Sequence, residues 1–450
     1  MIHSKFISIE WLLAILAGTL VADLCAAQEA THPIRPAKVE VRQTVGRWLL
    51  YVDRKPFFIR GAGLEFGDQE KLAAAGGNSF RTWRTENGRE TGQQVLDRAA
   101  KNRLFVTLGL ELSLERHGFD YSNAASVGKQ LAELQAQVLK FKDHPALLMW
   151  DIGNELNLDS HNPKVWDAVN DISKMIHRLD PNHPTTTSLA GISKDLVAEI
   201  RSRAPDLDLL CVQSYADIVN LPRELRDSGW NGPYAVTEWG ATGHWECGRT
   251  AWEAPIEDDS STKAELYGRR YQIAIASDTT NCLGSYVFLW GQKQERTPTW
   301  YGMFLPTGEA TEAVDVMQHI WSGHWPEFRS PQLKGLWLAG KTAWQNVHLQ
   351  SGQNYPARVL AQSPAGSALA YAWEIMEESG AKSTGGDFES PPQSLPGLVS
   401  AGAAEVQVKA PAKPGAYRLF VYARDGHDEA AYANIPFYVD AKAPAVAAQP

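Results

Sequence analysis

The sequence predicts an α/β fold, a (β/α)8 TIM barrel, followed by a C-terminal immunoglobulin-like β-sandwich. Eight strand-like segments alternate with helix-like segments between about Trp48 and Trp325, and such alternation is typical of parallel strand pairing. Eight units of this kind in about 280 residues match the size of a (β/α)8 barrel. After Pro331 the pattern changes to short β-like runs joined by turns, which indicates a separate β-domain.

The predicted barrel strands are short, mostly apolar runs that end in loops. We place them at residues 57–60, 78–83, 104–110, 147–152, 185–188, 209–212, 234–237 and 283–289. The third, LFVTLGL, is unbroken in its apolar character, as expected for a strand buried on both faces. A doubly wound sheet is the structural alternative, but it needs a reversal of strand order and no Gly-rich phosphate loop supports it.

Amphipathic helices are predicted between these strands. Apolar side chains recur at spacings of four and three, the period of one helix face, at Val127, Leu131, Leu134, Val138 and Phe141. A second set with this period begins at Val165 and ends at Leu179, before Asp180-Pro181. Further helices are expected at residues 193–204, 221–228, 261–278 and 310–321.

Residues 332–440 are expected to form the immunoglobulin-like sandwich. Its β-like runs lie at 343–349, 355–362, 368–375, 405–409, 417–424 and 433–439, with a Gly/Ser/Pro-rich loop at 380–402. We favour a packing or spacer role over glycan binding, because alternating aromatic residues in a sandwich usually form its core. Residues 441–450, rich in Ala and Pro, are expected to be a disordered tail.

The N-terminus has the outline of a secretory signal. Lys5 precedes an apolar run at residues 11–21, and small residues at 25–27 offer a cleavage site. We therefore expect a signal peptide at residues 1–27, a linker at 28–45 and the barrel domain at 46–325, with export to the periplasm or the extracellular medium. An uncleaved anchor is the alternative, although the run is short for a membrane span.

Charge and cysteine content narrow the possible partners. The formal net charge of −9 argues against nucleic acid and anionic membranes, since both favour clustered Lys and Arg, and no membrane association is expected after signal cleavage. No Cys/His spacing resembles a metal site, so neither a metal nor a cofactor is expected. Cys211 is expected to be a buried thiol, and pairing of Cys247 with Cys282 is left open.

Two of the predicted barrel strands end in a glutamate. The run LLMWDIGN leads to Glu155, and YAVT leads to Glu238. The C-terminal strand ends form the active-site face of a (β/α)8 barrel, so both carboxylates are expected on one rim. Glycoside hydrolysis requires such a pair, one group to protonate the leaving oxygen and one to attack the anomeric carbon.

These two segments resemble the signatures of clan A glycoside hydrolases, most closely the barrel domain of glycoside hydrolase family 2. The resemblance covers roughly residues 46–325. It implies that Glu155 is the acid/base and that Glu238 is the nucleophile. It also implies that Asn154, which precedes the acid/base, binds the sugar 2-hydroxyl.

Further site residues follow from the same resemblance. Arg81 matches an arginine close to the nucleophile, Tyr215 matches a tyrosine that contacts it, and Trp290 matches a tryptophan on the floor of the sugar site. Family 2 enzymes usually carry β-domains ahead of the barrel, so their action on single terminal sugars is not carried over, and a more open cleft is expected. Tryptophans near strand ends are candidates for stacking on sugar rings: Trp83, Trp239, Trp245, Trp252 and Trp300.

The sequence thus predicts a retaining glycosidase that cleaves a β-linked oligosaccharide or polysaccharide by double displacement. This mechanism requires the two carboxyl groups to lie about 5–5.5 Å apart. A transglycosylase would use the same residues with a sugar hydroxyl as acceptor. A non-catalytic carbohydrate-binding protein is less favoured because both carboxylates are retained, and a metal-dependent hydrolase would need His clusters at strand ends.

Overall fold

The computed structural model of the chain describes residues 35–400 and 402–441. The predicted signal peptide, the first part of the predicted linker and most of the predicted tail lie outside the described residues. None of the helices in these two ranges combines the length and the apolar character that a membrane crossing requires.

A small antiparallel sheet lies ahead of the barrel, where the sequence predicts a linker. It consists of β1 (Val39–Thr44), β2 (Arg47–Val52) and β3 (Lys55–Phe57), in that order. The linker prediction for residues 28–45 is therefore wrong over β1. Apolar and charged residues alternate along β1, which is the pattern of a strand with one buried face, and the turn at Val45 and Gly46 has positive φ at both residues, as tight hairpins require.

The buried face of this sheet closes one end of the barrel. Val39, Leu50 and Val52 are buried in a cluster with residues from the N-terminal halves of barrel strands, among them Leu148 and Leu283. The sheet therefore covers the end of the barrel opposite to the strand ends that carry the two glutamates.

Eight parallel strands close into a barrel, which confirms the predicted fold class. The strand order is β10-β11-β4-β5-β6-β7-β8-β9, so that each strand pairs with its neighbours in sequence and the last pairs with the first. The strands are β4 (Ile59–Gly63), β5 (Ser79–Arg81), β6 (Phe105–Leu110), β7 (Leu147–Asn154), β8 (Thr185–Ala190), β9 (Leu210–Gln213), β10 (Tyr234–Glu238) and β11 (Cys282–Val287).

A helix follows each barrel strand. The helices are α1 (Gln69–Ala74), α2 (Gly92–Lys101), α3 (Ala124–Phe141), α4 (Lys164–Leu179), α5 (Lys194–Arg203), α6 (Leu221–Ser228), α7 (Ser260–Arg270) and α8 (Glu312–Ser322). The helix predicted at 261–278 is α7 followed by a π-helical segment, Tyr271–Ala276. The periodic side chains of α3 behave as predicted, since Leu134, Val138 and Phe141 are buried against the strands.

A buried tyrosine fills the lower part of the barrel interior. The Tyr286 hydroxyl lies 2.9 Å from Ser79 Oγ and 2.5 Å from Thr107 Oγ1. Its ring crosses the barrel against Gly61, where an added Cβ would lie 2.4 Å from Cδ1 of the ring. Gly61 therefore has a packing function, and the barrel interior is a filled core below the strand ends, as this fold requires.

Two sheets packed on each other form the C-terminal domain, which confirms the predicted sandwich. One sheet has the order β12-β14-β16, and the other has the order β13-β18-β17-β15. The strands are β12 (Gln332–Leu338), β13 (Val347–Gln350), β14 (Asn354–Gln362), β15 (Ala370–Glu377), β16 (Glu405–Lys409), β17 (Gly415–Arg424) and β18 (Ala430–Asp440).

Buried charges join the sandwich to the barrel. Lys263 Nζ, on α7, donates to Glu257 Oε1 at 2.6 Å and to the Tyr432 hydroxyl of the sandwich at 2.9 Å. Asn434 Nδ2 donates to Glu257 Oε2 at 2.6 Å, and Arg418 Nη2 donates to the Pro255 carbonyl at 2.8 Å. These directional bonds fix how the sandwich is docked, so a sandwich loop can have a defined place beside the barrel mouth.

Candidate active site

Four hydrogen-bond donors surround the Glu238 carboxylate at the end of β10. Oε1 accepts from Arg81 Nη1 at 2.8 Å, from Trp83 Nε1 at 2.8 Å and from Gln213 Nε2 at 3.1 Å. Oε2 accepts from the Tyr215 hydroxyl at 2.7 Å. An ionised carboxylate only accepts hydrogen bonds, so this arrangement suits a charged, fixed group, and Glu238 is only 5% exposed.

Barrel topology brings these donors together. Arg81 ends β5, Gln213 ends β9, and Trp83 and Tyr215 lie two residues beyond the ends of these strands. Because parallel strand ends meet at one rim of the barrel, residues far apart in sequence converge on Glu238. Burial raises the pKa of Tyr215 far above its ordinary value, and the negative charge of Glu238 adds to this effect, so the hydroxyl remains a donor.

Glu155 has the opposite surroundings. It directly follows β7 with a φ of +51°, and its N–H donates to the Ser188 carbonyl at 2.8 Å. Burial raises the pKa of its carboxyl to about 8, and repulsion from Glu238 acts in the same direction, while Arg116 and Arg81 oppose the rise. The surroundings of Glu155 therefore favour its protonated form, whereas the Glu238 carboxylate is held by four donors.

Asn154 is oriented by two donors. Its Oδ1 accepts from Arg81 Nη2 at 2.8 Å and from Gln213 Nε2 at 2.7 Å. With Oδ1 so engaged, the Asn154 side chain offers its Nδ2 hydrogens as donors to a ligand. This orientation suits recognition of a sugar hydroxyl.

Asp151, which the sequence analysis did not single out, lies beneath the site in β7. Its Oδ2 is 3.3 Å from Arg81 Nη2 and accepts from Ser188 Oγ at 2.7 Å. Burial raises the pKa of the Asp151 carboxyl, and the Arg81 guanidinium opposes this. The sequence does carry a signal for Asp151, since it is a charged residue inside an apolar strand. Gln213, a polar residue at a strand end, could have been found in the same way.

The aromatic wall of the site combines the predicted Trp83, Tyr215 and Trp245 with Phe288 and Tyr301, which the sequence analysis did not single out. Phe288 directly follows β11, and its ring packs edge-on against Trp83 at 5.8 Å, Tyr215 at 5.9 Å and Tyr301 at 5.6 Å. Trp245 packs edge-on against Tyr215 and is 55% exposed. Trp245 therefore offers a free ring surface near the site, as its place in a strand-end loop suggests.

Two predicted substrate-binding tryptophans do not reach the cleft. Trp290 is 0% exposed, and its Nε1 donates to the Asp68 carbonyl at 3.0 Å. Trp239 is also 0% exposed and packs against Tyr267 and Tyr271. Both predictions are wrong, because a side chain adjacent to inward-facing Glu238 points to the opposite face of the strand, and because β11 has ended before Trp290.

Two further tryptophans proposed for stacking are also occupied elsewhere. Trp300 is 1% exposed and its Nε1 donates to the Thr242 carbonyl at 2.8 Å. Trp252 packs against His348 and Tyr438 of the sandwich.

Cys211, Cys247 and Cys282 are free thiols. Across the described ranges, no group of three or more His, Cys, Asp or Glu side chains is arranged to hold a metal ion.

Known proteins with a similar sequence or fold include β-glucuronidases. No protein-family model matches the chain. Over 180 residues, the chain is 27% identical to a β-glucuronidase of Sus scrofa, which covers 36% of this chain and 26% of that protein. The chain thus spans about a quarter of this curated relative.

Two solved structures share the fold. A Bifidobacterium dentium β-glucuronidase complexed with coumarin-3-O-glucuronide has a TM-score of 0.51 at 16% identity, covering 64% of this chain and 49% of that one. Bacteroides uniformis β-glucuronidase 2, covalently bound to cyclophellitol-6-carboxylate aziridine, has a TM-score of 0.50 at 10% identity, covering 90% and 48%. These two structures confirm the predicted fold.

Proposed function

We propose that this protein is a retaining β-glycosidase in which Glu238 is the nucleophile and Glu155 is the acid/base. The observation that carries the proposal is the contrast between the two carboxyl groups. Glu238 accepts four hydrogen bonds, whereas burial and the nearby negative charge raise the pKa of Glu155 to about 8. Two carboxyl groups with such different surroundings are suited to one acid and one nucleophile.

The first step of the proposed reaction forms a glycosyl-enzyme. A Glu238 oxygen attacks the anomeric carbon, the bond from this carbon to the leaving oxygen breaks, and Glu155 transfers its proton to that oxygen. Asn154 donates to the sugar hydroxyl next to the reacting carbon, where a hydrogen bond strengthens as positive charge develops. Arg81 keeps Glu238 in place through a charge-assisted hydrogen bond of 2.8 Å.

In the second step Glu155, now ionised, takes a proton from water as the water oxygen attacks the anomeric carbon. The bond to Glu238 breaks, and both carboxyl groups return to their starting states. The positive charges of Arg81 and Arg116 favour the ionised form of Glu155. They therefore stabilise Glu155 as the base of this second step. A sugar hydroxyl in place of water would give transglycosylation from the same intermediate.

The substrate we propose is a β-linked glycoside, oligosaccharide or polysaccharide. The similar proteins include β-glucuronidases, so uronides belong in the first substrate panel beside β-glucosides, β-galactosides, β-mannosides and β-xylosides. We also propose that the protein is exported, on the basis of the apolar run at residues 11–21 and the small residues that follow it. N-terminal sequencing of the mature protein tests this proposal.

The proposed roles are tested by comparing Glu238→Ala and Glu155→Ala with the wild-type protein on the active members of this panel. Glu238→Ala should lower kcat/KM by at least about 10⁴-fold, and azide should restore turnover by forming a glycosyl azide of inverted configuration. Glu155→Ala should lower it by about 10²–10⁴-fold on poor leaving groups and far less on nitrophenyl glycosides, whose departure needs no proton.

The matched control is Glu265→Ala, which removes an exposed carboxylate on α7 and should leave activity unchanged. Full activity of Glu238→Ala would exclude Glu238 as the nucleophile. Products longer than the starting oligosaccharide would assign transglycosylation in place of hydrolysis. Glycan binding by the wild-type protein without turnover of any panel member would favour the carbohydrate-binding alternative.

A further inference from the structure

A loop of the sandwich, residues 378–392, reaches the catalytic face of the barrel. It leaves β15 and returns to pair with it, since the Glu377 N–H donates to the Gln393 carbonyl at 3.2 Å. Within it, residues 381, 383, 385, 387 and 389 are covered while 382, 384, 386, 388 and 390 are exposed. The segment turns at Gly385 and Gly386, which both have positive φ, and residues on both sides of this turn contact the barrel. We call residues 378–392 the sandwich loop.

Buried polar contacts anchor the sandwich loop to the segment that follows β11. Glu389 is 4% exposed, and its Oε2 accepts from the Arg296 N–H at 2.7 Å. Its Oε1 lies 3.1 Å from Arg296 Nη1 and accepts from Ser383 Oγ at 2.6 Å. Lys293 Nζ donates to the Gly386 carbonyl at 2.7 Å. The loop is therefore held by specific contacts and not by apolar burial alone.

The sandwich loop also contacts Arg116, which in turn contacts Glu155. The Arg116 side chain, 8% exposed, lies between the two, with Nη1 donating to the Glu155 carbonyl at 3.4 Å and Nη2 lying 3.9 Å from Asp387 Oδ1. Asp387 Oδ2 also lies 3.0 Å from His117 Nε2. Gly385 covers the guanidinium so closely that a Cβ there would lie 2.7 Å from Nη2. Arg116 is thus held from one side by the catalytic rim and from the other by the sandwich.

We propose that Asp387 is a positioning residue that holds Arg116 against Glu155. Through this contact the sandwich contributes to the active site. The proposal assigns the sandwich a role other than spacing. It rests on the proposed function only in taking Glu155 as the acid/base, since the contact chain from Asp387 through Arg116 to Glu155 is a property of the fold.

The direction of the effect follows from the charges around Glu155. Glu238 and Glu295 disfavour its ionised form, and Arg116 and Arg81 favour it. Arg116 in turn faces Glu155 and Asp387, and Asp387 faces Arg116 and His117. If Arg116 is removed or released from its place, the pKa of Glu155 should rise, because one of the two opposing positive charges is lost.

A double-mutant cycle on the full-length chain tests this proposal. The pKa of Glu155 is measured by ¹³C NMR of carboxyl-labelled glutamate, with its resonance identified by its loss in Glu155→Gln. Arg116→Met should raise this pKa by about 1 unit, and Asp387→Ala should raise it by a smaller amount. In the Arg116→Met background, Asp387→Ala should have no further effect, because residues that act through one another are not additive.

Phe388→Ala is the matched control, since Phe388 lies on the solvent face of the same loop at 88% exposure, and it should leave the pKa of Glu155 unchanged. Additive effects, or an Asp387→Ala variant in which this pKa is unchanged or lowered, would overturn the proposal. Circular dichroism of each variant confirms that it is folded. The NMR result is independent of turnover, so a wild-type protein without glycosidase activity would reject the proposed function alone.

Discussion

Glu155 and Glu238 carry the same functional group in two different surroundings, and this difference is the basis of the proposed chemistry. The activity we expect needs Glu155 protonated, so kcat/KM should fall as the pH rises through about 8, the value to which burial raises the Glu155 pKa. The limb should be clearest on substrates with a poor leaving group, and the residual activity of Glu155→Gln on these substrates should lack it.

A buried carboxyl elsewhere in the fold provides the control for this pH profile. Burial also raises the pKa of Glu429 to about 8, but Glu429 accepts from Ser330 Oγ at 2.7 Å, at the junction with the sandwich. Glu429→Gln should therefore keep the basic limb. A limb that persists in Glu155→Gln and disappears in Glu429→Gln would show that Glu155 does not control the reaction.

The raised pKa of Glu155 also has a cost in stability. Folding favours its protonated form, so the folded protein loses stability as the pH rises from the ordinary carboxyl value through about 8. Glu155→Gln removes the ionisation, and it should raise Tm at pH 9 relative to wild type by on the order of 1–2 °C, with a smaller gain at pH 5. Differential scanning calorimetry at the two pH values measures this. An equal gain at both would show that ionisation of Glu155 does not lower the stability of the folded protein.

Tyr215 contributes one of the four donors to Glu238. Its removal should lower kcat/KM by less than removal of the nucleophile does. Tyr215→Phe deletes the 2.7 Å hydrogen bond to Oε2 and keeps the ring. A hydrogen bond to a charged group contributes about 1.5–3 kcal/mol, so kcat/KM should fall by about 10–100-fold. Steady-state kinetics measure the fall, and an unchanged kcat/KM would show that Tyr215 does not contribute to the reaction.

At the scale of elements, the strand ends were predictable and the directions of single side chains were not. Each predicted barrel strand overlaps an observed strand, because a buried parallel strand leaves a distinct apolar run. The positions of Glu155 and Glu238 follow from those runs. Trp239 was misassigned because its neighbour Glu238 takes the inward direction, and Trp290 because the end of β11 at Val287 cannot be located from composition.

The N-terminal sheet was missed because its single buried face is short and its other face is charged. It is nevertheless part of the fold, since Leu50 is 1% exposed in the cluster that closes the barrel. Leu50→Ala should lower the free energy of unfolding by about 2–5 kcal/mol and leave kcat unchanged, because the sheet lies at the opposite end of the barrel. Denaturant unfolding and kinetics on the same sample measure both, and a fall in kcat at unchanged stability would contradict this assignment.

At the scale of the whole molecule, a buried ion pair of the barrel lies at the junction with the sandwich, where Tyr432 and Asn434 hydrogen-bond to it. Lys263 and Glu257 are almost fully buried and 2.6 Å apart. Lys263→Met leaves the Glu257 charge without its main partner and should cost about 3–5 kcal/mol. The double variant Lys263→Met/Glu257→Gln should be less destabilised than Lys263→Met. Thermal unfolding of wild type, Lys263→Met and the double variant measures this, and equal losses in the single and double variants would show that the pair is not coupled.

The central claim is that both carboxyl groups act on one anomeric carbon in two successive displacements, and the configuration of the first-formed product tests it most directly. Proton NMR during the first minutes of hydrolysis of a β-glycoside resolves the anomeric signals before mutarotation. We expect the β-anomer to form first, since two displacements restore the starting configuration. An α-anomer formed first would show a single displacement by water and would contradict the assignment of Glu238 as a nucleophile.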